Sequence, residues 1–311
     1  MPSHSPELQG LLQRLFVGLS FSGIPRASGQ RVVYFCTLPC LDREVLTLLR
    51  EESAAEAEVV VKISSGNDPT SIAYLEREIA VLNQIESVFF PCLYHHELVA
   101  EDPLTEERLI EKLFITVEEK KIAVPLNDVR SMFTSEVAVI DLLLSLIEGL
   151  SVLWNHANRL VHRDLKPDNI LIGPNGEVFI IDLGLIRETG SVGITATGAP
   201  YGPMTAMYAS PEQAKNDKKN ISFKSDCFSL ATIAYELLAG QNPYVVNGDM
   251  NFISVTNNVC THTPISLDKL GKCSGEFARI LSQMMEKEPY KRHRTIDLLQ
   301  QDLMRAKTGA Q

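Results

Sequence analysis

Apolar and polar positions are spaced differently in the two halves of this chain. Between Arg31 and Ala123 the apolar residues come in short aliphatic and β-branched runs, "RVVYFCTL", "EVLTLLREE", "AEVVVKI", "CLYHHELVA" and "RLIEKLFITVEE". Such runs predict strands. One segment breaks the pattern: in "SIAYLEREIAVLNQI", Ile72, Leu75, Ile79 and Leu82 recur at steps of three and four, the spacing of a helix with one buried face. Past Val124 helical spacing dominates, first in "VAVIDLLLSLIEGLSVLWNHA", then in "SDCFSLATIAYELLAG" and "GEFARILSQMMEKEP", with turn residues at Gly240, Asn242 and Pro243. Between these helices, "LVHRDLKPDNILI" and "VFIIDLGLI" predict short strands around a charged loop. Residues 1–29 read as an N-terminal extension, a short amphipathic helix followed by the loop "SFSGIPRASG". A strand-rich part followed by a helical one predicts an α+β protein of two lobes. The small strand-rich N-lobe is expected at about 30–118 and the larger helical C-lobe at about 119–306.

The chain's 311 residues suffice for two lobes with substantial cores. Its formal net charge of −10 argues against a general affinity for nucleic acid or anionic membranes. "MPSHSPELQGLLQRLF" lacks a basic region followed by an apolar one, so it is not a secretory signal. The most apolar window, "VAVIDLLLSLIEGLSVLW", is interrupted by Asp141 and Glu148, which favours a buried helix over a membrane span. Six cysteines without a CxxC pair point to reduced thiols. Cys36 and Cys40 have no second Cys/His pair to complete a metal site. The expectation is a soluble cytoplasmic protein.

Candidate chemistry concentrates in "LVHRDLKPDNILI", where His162, Arg163, Asp164, Lys166, Asp168 and Asn169 crowd between aliphatics. Burying such charge without partners is costly. The stretch "HRDLKPDN" resembles, residue for residue, the catalytic loop of eukaryotic-type (Hanks-type) serine/threonine protein kinases. The resemblance runs from about Arg31 to Arg305 and implies a bilobal kinase fold that uses ATP and Mg2+ on the Ser/Thr hydroxyls of protein substrates. By that resemblance Asp164 orients the substrate hydroxyl and accepts its proton, and Lys166 neutralises charge on the transferred group. Asn169 and Asp182 hold magnesium, with Leu183 and Gly184 standing after Asp182 where the family has Phe-Gly. His162 and Arg163 act as scaffold, Arg163 also being available to a phosphorylated activation segment.

The resemblance further makes Lys62 of "VVVKI" the contact of the α- and β-phosphates, paired with Glu78 of "YLEREIAVL"; Glu76 is the rival for that pairing. Val60, near adenine, and Leu171 are assigned to the nucleotide. "MYASPE" is similar to the end of the activation segment, with Glu212 pairing Arg292 and Asp226 holding the catalytic loop from below. Phe228 takes the place of the family's Trp. Thr205 stands where a substrate-facing threonine touches the catalytic Asp and Lys, and Ser191, Thr195 and Thr197 are candidate phosphorylation sites.

The glycine-rich phosphate loop is missing where it is expected, between "RVVYFCTL" and "EVLTLLREE". Pro39, Cys40, Leu41, Asp42 and Arg43 stand there, and Gly23 and Gly29 lie too far upstream. That absence keeps a pseudokinase scaffold open as an alternative. A small-molecule phosphotransferase is a further one, opposed by Glu212, Arg292 and the Thr205 segment.

Overall fold

The computed structural model describes residues 6–28, 31–39, 56–67, 69–183, 186–188 and 204–310. They fall into two units, Met1–Glu86 with Pro91–Lys121, and Ser87–Phe90 with Ile122–Gln311.

The first unit is built on an antiparallel sheet of six strands: β1 (Ser20–Phe21), β2 (Arg26–Ser28), β3 (Arg31–Pro39), β4 (Glu56–Ser65), β5 (Leu93–Glu101) and β6 (Arg108–Glu119). The order is β1-β3-β4-β6-β5, with β2 also on β3. Side chains alternate across a strand, so the register sorts residues into two faces. Tyr34 pairs with Val61 and Val61 with Val117, while Val33 pairs with Lys62 and Lys62 with Thr116. The first set belongs to a buried cluster that includes Val32, Cys36, Val59, Ile63 and Ile115. Leu8, Leu11 and Leu12 of helix α1 (Pro6–Leu15), together with Leu19, complete that cluster. Each fully buried leucine contributes roughly 1.5–3 kcal/mol in gross burial.

Helix α1 therefore forms where it is expected, but residues 6–28 belong to the core of this unit and are not an appendage. The supposed loop "SFSGIPRASG" carries β1 and β2, held by main-chain pairing to β3. The expected strand "EVLTLLREE" lies outside the described residues.

Helix α2 (Pro69–Leu82) buries Leu75, Ile79 and Leu82, as its periodicity predicts. The same face carries Glu78, which is 4 % exposed, whereas Glu76 is exposed.

The second unit centres on helices α3 (Glu136–Trp154) and α5 (Phe223–Ala239), separated in sequence by the short α4 (Pro211–Ala214) and followed by α6 (Phe252–Thr261), α7 (Gly275–Met284) and α8 (Ile296–Ala310). Helix α3 is long and apolar enough to cross a membrane. Its apolar residues, Val139, Ile140, Leu143, Leu146, Ile147 and Leu150 among them, are buried inside the unit, where it packs on α5 and α8. Asp141 and Glu148, the two charges in the apolar window, face outward, and Asp141 accepts Lys307 Nζ at 2.6 Å.

Residues Ser87–Phe90 join this unit because Phe89 lies directly on Gly149 of α3. A Cβ at Gly149 would meet the Phe89 ring at 2.8 Å. Gly149→Val is expected to destabilise the protein by about 1–3 kcal/mol, read as a lowered melting temperature.

Three small strand pairs position the charged loops. Strand β9 (Ile170–Ile172) pairs with β7 (Val124–Pro125) and with β10 (Val178–Ile180), and β8 (Leu160–Val161) pairs with β11 (Arg187–Glu188).

Candidate active site

Strand β8 delivers the chain into the loop His162–Asn169, whose backbone is captured from α5. The Asp226 carboxylate, fully buried, accepts the backbone N–H groups of His162 and Arg163, both at 2.9 Å, and Trp154 Nε1 at 2.8 Å. Desolvation pushes its pKa up, and these donors and nearby His162 pull it back. Arg163 has φ +72, a left-handed conformation that costs a non-glycine residue about 1–3 kcal/mol. Both polar atoms of its peptide are held: the N–H by Asp226, and the carbonyl by Gln213 Nε2 at 2.7 Å. Gln213 is fixed in turn by a reciprocal cap with Ser210 at the start of α4. The strained turn is thus clamped from two elements.

The clamp presents Asp164. Its Oδ1 accepts the Thr205 hydroxyl at 2.7 Å, and its Oδ2 accepts Lys166 Nζ at 3.0 Å. Lys166 Nζ also reaches Thr205 Oγ1 at 3.4 Å. The expected contact of Thr205 with the acid and the lysine is present.

Asn169 donates its amide nitrogen to the Asp164 carbonyl at 2.9 Å and to Oδ2 at 3.2 Å, which fixes the nitrogen and leaves the amide oxygen to accept or to ligate a metal. The β9–β10 hairpin pairs Ile170 with Ile180, and Ile181 N–H donates to Asn169 O at 2.9 Å. The open end of the hairpin therefore sets Ile181 opposite Asn169, with Asp182 one residue further along. Asp182 is also left-handed, with φ +66, and Leu183 behind it is buried. An amide oxygen and a carboxylate are hard oxygen donors of the kind magnesium takes, so the pair fits the ion. Leu171 lies on β9 between Pro125 and Phe179. Gly184, Ser191, Thr195 and Thr197 lie outside the described residues.

Beneath the loop, Arg292 meets Glu212 through two parallel bonds, Nη1 to Oε1 at 2.7 Å and Nη2 to Oε2 at 2.9 Å. Ser225 Oγ donates to Glu212 Oε1 at 2.6 Å, and Arg292 also donates to the carbonyls of Glu286, Lys224 and Lys287. Both side chains are essentially sealed, at 1 % and 2 % exposure. Phe228 stacks on Tyr244 and lies under the Arg292 guanidinium.

A second polar chain escaped the sequence reading. Glu236 accepts Tyr208 OH at 2.7 Å and Arg130 Nη1 at 2.6 Å, and Arg130 donates twice to Asn127 Oδ1. Asn127 in turn donates to Asp168 of the catalytic loop. Burial and the Glu236 carboxylate raise the Tyr208 pKa. An acid inside the apolar run of α5 was the available signal for Glu236; nothing in its surroundings marked Arg130.

In the first unit Lys62 and Val60 share one sheet face, as expected. For both members of the expected Lys62–Glu78 pair the structure describes other contacts. Glu78 is gripped by Arg31, Nη1 to Oε1 at 3.2 Å and Nη2 to Oε2. Lys62 Nζ donates to Glu118 Oε2 at 2.7 Å. Two buried acids compete for basic partners on this face, and the planar guanidinium matches a carboxylate better than an ammonium does.

The register also corrects the search for the phosphate loop. Cys40–Arg43 lie outside the described residues, but they follow Pro39, which pairs with Glu56, about 20 Å along the strand from Lys62. The hairpin beside Lys62 is β2–β3, where Arg31 pairs with Ser28 and Val33 with Lys62. Counting back from Lys62 failed because the sequence between β3 and β4 runs through 40–55, whereas β2 and β3, which pair with each other, are only two residues apart in sequence.

Relatives can now be set beside this geometry. "Serine/threonine-protein kinases PknA" of Corynebacterium glutamicum is 35% identical over 157 residues, 49% of this chain and 31% of that protein. "Serine/threonine-protein kinase PknB" of Mycobacterium leprae is 33% identical over 158 residues, 50% of this chain and 24% of the relative. "Serine/threonine-protein kinase PknL" of Mycobacterium tuberculosis is 42% identical over 107 residues, 34% and 25% of the two chains. The matches thus span less than a third of each of these relatives. The protein kinase domain family matches residues 50–304. A match over well over half of the chain, running through the Asp164 loop, the Asp182 turn and the Glu212–Arg292 pair, makes this protein a member of the protein kinase domain family.

Proposed function

We propose that the protein is an ATP-dependent serine/threonine protein kinase, moving the γ-phosphoryl group of ATP onto hydroxyls of proteins, itself included. The observation that carries this reading is the Thr205 hydroxyl 2.7 Å from Asp164 Oδ1 with Lys166 Nζ beside both. A substrate hydroxyl seated in the same bond has its attacking oxygen aligned by Asp164, which takes the proton as the new P–O bond forms. The Lys166 ammonium offsets the negative charge of the transferred group. Lys166, two residues after Asp164, favours serine and threonine over tyrosine. Asn169 and Asp182 would hold magnesium, which supplies charge neutralisation at the phosphates when bound. Lys62 serves the α- and β-phosphates, Val60 and Leu171 serve the nucleotide, and the β2–β3 hairpin is the segment whose main chain covers the phosphates. The acidic net charge supports protein partners over nucleic acid, and we place the protein in the cytoplasm.

The test is incubation with labelled ATP and magnesium. Label is expected on the protein and on a generic basic protein. Absence of label on both would overturn the reading in favour of a scaffold. Because Cys40–Arg43 follow Pro39, whose partner Glu56 is far along β4 from Lys62, replacing them with Gly and Ser is expected to leave the KM for ATP within about twofold. Titration of ATP in the same assay checks this.

A further inference from the structure

We propose that Gln213 is a positioning residue for Asp164: its side-chain amide holds the peptide plane that leads into the acid, and turnover depends on that hold. The inference deepens the kinase reading given above and rests on it.

The plane between Arg163 and Asp164 is the last main-chain unit before the acid, so its tilt sets where the Asp164 side chain starts. Both of its polar ends are bonded. The Arg163 carbonyl accepts Gln213 Nε2 at 2.7 Å, and the Asp164 N–H donates to His162 Nδ1 at 3.3 Å. The second bond is long for a hydrogen bond, which makes the Gln213 amide the tighter of the two holds. The plane also follows a residue of positive φ, Arg163 at +72. A non-glycine residue keeps that conformation only where its surroundings over-determine it. Losing the Gln213 donor lets the turn relax, and the carboxylate moves with it. A displacement of about 1 Å is enough to cost a reaction roughly 100-fold.

The Gln213 amide is itself fixed. Its Oε1 accepts both the N–H and the hydroxyl of Ser210, at 3.2 and 3.1 Å. The two ends of the amide are therefore not interchangeable, and the nitrogen is the end that faces the loop. Gln213 is 1 % exposed, and it follows Glu212, whose pair with Arg292 anchors α4. Thr205 lies on the same segment, and its hydroxyl bonds the Asp164 carboxylate. One stretch, 205–213, thus contacts the acid at its side chain and its main chain.

Steady-state kinetics at varied ATP on the full chain test this, run at a temperature where melting curves show each variant folded. Gln213→Glu keeps the side chain's length and an acceptor for Ser210, and it loses the donor to the Arg163 carbonyl. Gln213→Met keeps the length and loses both. Each is expected to lower kcat at least about fivefold with the KM for ATP within about twofold, the split left by an interaction that serves the transition state. A smaller loss of kcat in either folded variant would overturn the proposal and leave Gln213 a structural residue, as would a loss carried by the KM for ATP. Should neither variant fold, Ser210→Ala decides, since it leaves Gln213 in place and removes one of the two donors on its Oε1. A fall in kcat of about threefold or more supports the proposal, and a smaller change overturns it. A wild-type protein that transfers no label removes the kinase reading and this proposal with it, whereas an active wild type with fully active Gln213 variants removes the proposal alone.

Discussion

Asp164→Asn should abolish phosphoryl transfer while leaving the melting temperature and ATP binding close to wild type. The Asp164 carboxylate touches Thr205, Lys166 and Asn169, and of these only Asn169 is assigned to the magnesium. An asparagine of the same shape keeps an oxygen for the Thr205 and Lys166 donors, and it loses the ability to take a proton. Removing a general base costs typically 10²–10⁴-fold, and here the lost acid also aligns the nucleophile, so the loss belongs at the upper end. Label incorporation by the purified variant, compared with its melting curve and an ATP titration, separates chemistry from folding. Full activity in a folded Asp164→Asn protein would show that this carboxylate is not the base.

The largest stability effect is expected at the Glu212–Arg292 pair. With both side chains sealed from water, Arg292→Met strands the Glu212 carboxylate, and Glu212→Gln strands the guanidinium. Breaking a buried pair from one side costs about 3–5 kcal/mol, a fall in melting temperature of roughly ten degrees or more for a chain of this size. The guanidinium also binds the carbonyls of Glu286, Lys224 and Lys287, so the arginine variant should be the worse of the two. Replacing both residues with methionine removes both charges and is expected to recover part of the loss. Thermal unfolding of the three variants checks the order, and equal stability of all three with wild type would refute the assignment.

The parts of the site that sequence made legible are those where several residues act from one short stretch. Asp164, Lys166 and Asn169 sit together because the loop carries them in fixed order, and Glu212 with Arg292 was legible through the family resemblance of "MYASPE". Lys62 was placed correctly on its strand, but its bond to Glu118 was not foreseen. Finding Glu118 required knowing which strand lies beside β4 and in which register, and that is set by pairing between distant segments. The hint was a glutamate closing the apolar run "LFITVE", on the same parity as Thr116. Arg31 was hidden for the same reason, since a strand's first residue reads as solvated until the helix above it is known. The misjudged phosphate hairpin has a related cause: "SFSGIPRASG" has the composition of a loop, and its strands exist only because β3 supplies the other half of the ladder.

Helix α1 closes the first unit's core from the chain's beginning, with Leu8, Leu11 and Leu12 lying in the same cluster as Ile115 and Val117. The contacts that seal this core thus join residues more than a hundred positions apart. Loop closure on that scale is entropically expensive, and folding slows as contacts become less local. The sheet cannot be covered until its fifth and sixth strands are available, so α1 can complete this core only after strands that follow it much later in the chain have paired. The late step in assembling this unit is the docking of α1.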